Sequence, residues 1–137
     1  MRDKVFFDTN ILLYVGDSRN EVKQQKAQEI LMSSDKKNRG VISTQVLQEY
    51  YVTETKKLKR DPSLIKEMLK LWQQFEVITV SPAMIEEAAD ISVLYKLSFW
   101  DSLIITTALF AHCTQLLTED LHHEQIIRGL KIINPFK

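Results

Sequence analysis

The side chains in this sequence whose placement suggests chemistry are carboxylates. Asp8 follows directly on the apolar run Val5-Phe6-Phe7, so it stands where a strand stops. Asp101 opens the stretch from Trp100 to Ala111, where Leu103, Ile104, Ile105, Ala108, Leu109 and Phe110 leave hardly any polar side. At helical spacing Asp101 shares a face with Ile104, Ile105 and Ala108, so it points inward. Glu119 and Asp120 follow Gln115-Leu116-Leu117 much as Asp8 follows the first run, and Glu49 lies on the border of a packed helix face. Each position also has a plain reading. Asp8 suits a helix N-cap, Asp101 suits the positive end of a helix dipole, and Glu49 suits a solvated border. An inward-facing acid still needs a partner. Carboxylates brought together repel, which raises the pKa of one of them unless cations neutralise the group. Hard oxygen ligands without a Cys or His pair select Mg²⁺ or Mn²⁺ over zinc.

Other chemistries find less support. No serine has a matched His and Asp, so no covalent nucleophile is visible. Cys113, beside Leu109, Phe110 and Ala111, reads as a half-buried, inert thiol. His112 reads as a helix surface residue, and adjacent His122 and His123 lack the helical spacing to bind one metal together.

The elements that would position these acids alternate along the chain. Short β-rich runs occur at Val5–Phe7, Val41–Ser43, Val77–Val80, Gln115–Leu117 and Leu130–Ile133, separated by segments of helical periodicity. A polar stretch, Ser33 to Gly40, is expected to break the helix that carries Ala27, Ile30 and Leu31. Pro62 and Pro82 open later helices. Alternation of this kind predicts a three-layer α/β/α sandwich around a parallel sheet, in which ligands bind beyond the carboxyl ends of the strands. Asp8 and the Glu119-Asp120 pair fall at those ends.

The 137 residues suit a single domain, 1–137, able to bury its own core. Lys plus Arg and Asp plus Glu are both 18, which argues against nucleic-acid binding through overall positive charge but leaves local patches open. The lone cysteine suits a reducing cytosol. No apolar run approaches a membrane span, and the start carries no signal-peptide pattern.

Taken together, Phe6-Phe7-Asp8-Thr9-Asn10-Ile11-Leu12, Glu49, Trp100-Asp101-Ser102-Leu103-Ile104 and Leu116-Leu117-Thr118-Glu119-Asp120-Leu121 resemble the PIN domain nucleases. The nearest resemblance is to the small VapC-type toxins of toxin–antitoxin pairs, and it spans essentially the whole chain. It implies a ribonuclease that uses one or two Mg²⁺ or Mn²⁺ ions and leaves 5′-phosphate and 3′-hydroxyl ends. Asp8 and Asp101 match the family's principal metal ligands, Glu49 its helix-borne acid and Asp120 its more variable fourth acid, for which Glu119 could partly substitute. Asn10 and Thr118 match positions that orient the first and last acids, and Ser102 either does the same or caps its helix. The resemblance further implies a cognate antitoxin lying in a groove between surface helices, and a homodimer to which Leu64, Ile65 and Leu71 are possible contributors. Lys56, Lys57, Lys59 and Arg60, or Lys36, Lys37 and Arg39, are available to an RNA backbone. One departure is Glu124, where many relatives carry a glycine before the glutamine.

Three other readings compete. A haloacid-dehalogenase-like phosphohydrolase needs a second acid two residues after the first, where this chain has Asn10. A PIN-like nuclease could serve RNA processing outside a toxin–antitoxin pair. A PIN-like scaffold would bind without turnover.

Overall fold

The computed structural model describes residues 3–36 and 38–137. Strand β1 (Lys4–Phe7) is followed by helices α1 (Thr9–Val15) and α2 (Glu21–Lys36), then by β2 (Gly40–Ser43) and α3 (Thr44–Val52). The axis of α3 continues as a single π-helical turn, Thr53–Lys57, before α4 (Pro62–Trp72) and β3 (Glu76–Ile78). Helices α5 (Pro82–Tyr95) and α6 (Phe99–Phe110), strand β4 (Cys113–Leu117) and the hairpin β5 (Ile126–Ile127) and β6 (Leu130–Ile133) complete the chain.

The six strands form one sheet in the order β3-β2-β1-β4-β6-β5, parallel except for β5. Helices α1 to α4 pack as one group and α5 with α6 as another, giving an α/β/α sandwich. Strand β1 sits near the middle, and its Val5, Phe6 and Phe7 are buried together with Ile42, Leu116 and Ile132. This double-sided burial explains why β1 reads as a continuous apolar run rather than an alternating one. Gly40 pairs with Val5 in a space too tight for any side chain, because a Cβ there would lie 2.5 Å from the Phe75 ring.

The register of β1 and β4 sets up the site. Phe7 pairs with Leu117, so the next residues, Asp8 and Thr118, emerge side by side at the carboxyl edge. Backbone bonds from Asp8 N to Leu117 O (3.0 Å) and from Thr118 N to Ile133 O (3.0 Å) hold that edge in place.

Several expectations need correction. Helix α2 does not stop at Ser33 but runs to Lys36, because serine and aspartate on a surface helix only weaken it without breaking it. The third strand ends at Ile78 instead of Val80, whose N–H is taken by Thr44 Oγ1 at 3.2 Å. The antiparallel strand β5 was not expected. Its turn places Arg128 (φ 50°) and Gly129 (φ 88°) in left-handed conformations, as a two-residue hairpin turn demands. Ile65 is 2% exposed and belongs to the core, so it cannot contribute to a dimer surface, whereas Leu64 and Leu71 are exposed. Lys37 lies outside the described residues. No single described helix is long and apolar enough to cross a membrane.

Candidate active site

Asp8 ends β1 and caps α1 at once: its Oδ1 accepts from Thr9 N at 2.7 Å. Its Oδ2 accepts from Thr118 Oγ1, also at 2.7 Å. The Thr118 hydroxyl has one proton and two lone pairs, and all are used. It donates to Asp8 and accepts from Asn10 Nδ2 (3.3 Å) and Asp120 N (3.1 Å). Asn10 in turn reaches Asp120 Oδ2 through Nδ2 (3.1 Å) and receives Glu119 N on Oδ1 (3.3 Å). The ends of β1 and β4 are therefore laced by side chains as well as by backbone.

Glu49 approaches from α3. The N-cap of that helix is Ser43, the last residue of β2, so the helix begins at the same sheet edge. Thr9 Oγ1 donates to Glu49 Oε1 at 2.8 Å, and Gln45 Nε2 lies 3.4 Å from Oε2. Asp101 sits in the first turn of α6, capped by Ser98, whose Oγ accepts from Asp101 N at 3.1 Å. Ser102 neither orients Asp101 nor caps the helix: it is fully buried and donates to Ser98 O at 2.8 Å.

Asp8, Glu49, Asp101 and Asp120 line one open cleft of about 590 Å³. Burial pushes the Asp8 carboxyl up to about 7; hydrogen bonds from Thr118 and Thr9 oppose the shift, and the charges of Asp120 and Glu49 add to it. Asp101 is raised as well, by burial first and by Asp120 in addition, with Ser98 opposing. Four carboxylates lining one cleft concentrate negative charge that a bound cation would relieve. Among the described residues no three Asp, Glu, His or Cys side chains stand close enough to share one ion. Asp8 feels the charges of both Asp120 and Glu49, and Asp101 feels that of Asp120. Hard oxygen donors of this kind fit Mg²⁺ or Mn²⁺, because Mg²⁺ commonly takes only one or two carboxylates and keeps several waters.

The sequence profile of the PIN domain family matches residues 5–128. The chain belongs to the PIN domain family. Solved structures share its fold over nearly full length. A toxin–antitoxin complex from Klebsiella pneumoniae is similar with a TM-score of 0.68 and 23% identity, covering 96% of this chain and 98% of that one. VapC20 of Mycobacterium tuberculosis, a sarcin–ricin loop cleaving toxin, gives 0.67 and 18% over 82% and 87%. DNA-bound VapBC from Salmonella typhimurium gives 0.70 and 18% over 96% and 97%. No curated protein sequence matches the chain.

In this PIN domain the two adjacent acids after β4 part company. Glu119 turns away from the cleft to an ion pair with Lys23 and accepts from Tyr14 OH at 2.6 Å. Burial works to raise its pKa, but the Lys23 and Tyr14 contacts outweigh that and hold it low. Asp120 alone of the pair lines the cleft. Of the basic run after α3, Lys57 lines the cleft, while Arg60 donates to Gly16 O at 3.1 Å. Arg39 donates to Asp3 O at 2.7 Å, away from the acids.

Two features of the PIN domain escape a reading of sequence alone. The π turn hydrogen-bonds Leu58 N to Thr53 O at 3.0 Å. It thereby buries Glu54 while leaving Thr53 and Lys57 on the cleft. An α-helical wheel misplaces every residue beyond such a turn. Gln45 is the second: it is 4% exposed and bridges Glu49 to Trp100 O (3.1 Å). Its place one helical turn before Glu49 is the signal the sequence offers.

Proposed function

We propose that this PIN domain is a divalent-cation-dependent endoribonuclease and the toxin of a type II toxin–antitoxin pair. The observation that carries this reading is the convergence of Asp8, Glu49, Asp101 and Asp120 in one cleft at the carboxyl edge of the sheet. The full-length likeness to toxin structures supports the biological role.

Asp8, Glu49, Asp101 and Asp120 would hold one or two Mg²⁺ or Mn²⁺ ions. Bound cations would supply Lewis-acid activation of water and of the phosphodiester. The protein's part is to fix the donors beforehand. Thr118 and Thr9 N aim the two oxygens of Asp8, Asn10 holds Asp120, and Thr9 with Gln45 holds Glu49. Fixed orientation of this kind is the contribution that outer hydrogen bonds make to metal sites. Lys57 supplies a positive contact for a phosphate in an otherwise acidic cleft.

An antitoxin is the proposed protein partner, because two of the structural relatives, those from Klebsiella pneumoniae and Salmonella typhimurium, are toxin–antitoxin assemblies. A homodimer and a cytoplasmic location complete the proposal, with Leu64 and Leu71 available to a second copy. The test is cleavage of mixed cellular RNA by the purified protein with Mg²⁺, with EDTA, and with folded Asp8→Asn and Asp101→Asn variants. Cutting that needs metal and is lost in both variants supports the nuclease. Cutting that survives in EDTA or in either variant overturns it. Growth arrest on expression, relieved by a neighbouring small protein, separates the toxin from an RNA-processing nuclease.

A further inference from the structure

Trp100 is 61% exposed and lines the same cleft as the four acids, one residue before Asp101. The other tryptophan, Trp72, is buried at 5%. Exposure of a single apolar side chain is ordinary, so its surroundings matter. It is held on a rigid mount. Ser98 caps its helix, the Phe99 ring meets it edge to face at 5.2 Å and 79°, and Gln45 Nε2 clamps its carbonyl at 3.1 Å. The same Gln45 touches Glu49, so the indole and the acids share one scaffold.

The electrostatics of the cleft define what this ring is for. Four carboxylates face a single lysine, Lys57, and the chain as a whole carries no net charge. A polyanion gains little from charge in this cleft without bound cations. Stacking on an aromatic face needs no charge complementarity, because every base has a π-face.

Resting on the nuclease reading above, the geometry points to Trp100 as a substrate-binding residue that stacks an unpaired base of the RNA strand beside the scissile phosphate. A base inside a duplex is already stacked on its neighbours and cannot occupy this position. Trp100 thus selects single-stranded or looped RNA, with Lys57 contacting the adjoining backbone.

The test uses a random-sequence pool of single-stranded 12-mer RNA and the same pool as duplex, with Ca²⁺ replacing Mg²⁺ to separate binding from turnover. Tryptophan fluorescence and affinity are read on the wild-type protein and on folded Trp100→Phe and Trp100→Ala variants. Cleavage kinetics in Mg²⁺ run in parallel. Single strands should quench the emission, with little effect from duplex. Trp100→Phe should lose the quenching yet bind within about threefold, while Trp100→Ala should weaken binding and raise KM about tenfold to hundredfold, with kcat changed far less. A Trp100→Ala protein that binds and cuts like wild type overturns the stacking role and leaves the nuclease standing. So does equal quenching by duplex, or a change in oligomeric mass with RNA binding intact, which would make Trp100 a protein contact. Absence of both cleavage and binding by the wild-type protein overturns the nuclease reading and the stacking role together.

Discussion

Thr118 Oγ1 donates to Asp8 Oδ2 at 2.7 Å, joining the ends of β4 and β1 across 110 positions of sequence. Thr118→Val keeps the shape and removes the hydroxyl. Asp8 then loses a donor, while Asn10 Nδ2 and Asp120 N lose an acceptor. The variant should be destabilised by about 1–3 kcal/mol in denaturant unfolding, and its cleavage should fall about tenfold to hundredfold. Thr118→Ser should restore most of both.

Asp8 makes the stability of the metal-free protein depend on pH. Its carboxyl is raised to about 7 from an ordinary value of 3.8, chiefly by burial. Between those values the folded state holds the proton more tightly than the unfolded chain. The contribution of this group is therefore fully favourable below about pH 4 and is lost progressively as pH rises through about 7. The full effect is on the order of 4 kcal/mol. In EDTA, Asp8→Asn should be the more stable protein at pH 8, and the difference should shrink by pH 5. Parallel unfolding curves for the two proteins across that range would disprove the assignment.

Cation binding should compete with the same proton. Mg²⁺ or Mn²⁺ should raise the melting temperature more at pH 8 than at pH 5, because only the ionised carboxylates offer a site. Asp8→Asn and Asp101→Asn should each blunt the response. A shift of equal size at both pH values would argue against binding at these acids.

The division between Glu119 and Asp120 gives a direct comparison. Glu119 is engaged by Lys23 and Tyr14, whereas Asp120 lines the cleft. Asp120→Asn should lower cleavage at least about tenfold. Glu119→Gln should leave kcat near wild type and cost up to about 1 kcal/mol of stability, since its ion pair is partly exposed. The reverse ranking would make Glu119 the fourth acid.

Glu124 has φ of 70°, a left-handed conformation that glycine adopts without strain. Its N–H donates to Ile132 O at 2.7 Å, which holds the loop against β6. Glu124→Gly should stabilise the protein by about 0.5–1 kcal/mol, the relief of left-handed strain outweighing the added freedom of the unfolded chain. Chemical denaturation measures this, and a loss of stability would contradict it.

The readable parts of this fold were those where a local pattern and its tertiary environment agree. Val5-Phe6-Phe7 reads as a buried strand because it is buried on both sides. The run from Leu103 to Ala108 reads as a buried helix because its hydroxyl-bearing members, Thr106 and Thr107, bond back to Ser102 O and Leu103 O inside the helix. Strand β5 stayed hidden because two residues carry no period, although Arg128-Gly129 between isoleucine and leucine was a turn signal. Ile65 looked available because a helical stripe does not reveal how wide a face its neighbours cover. Burial of Glu54 depends on the π turn, and no simple periodicity announces one.

The strand order carries a consequence for synthesis. Strand β1 holds the first acid, yet its partner β4 and the hydroxyl of Thr118 come from the last quarter of the chain. Until that quarter has left the ribosome, Asp8 has neither its neighbouring strand nor its hydroxyl donor. The four-acid cleft is therefore incomplete while the first three quarters are being translated, and any chemistry it performs waits for β4.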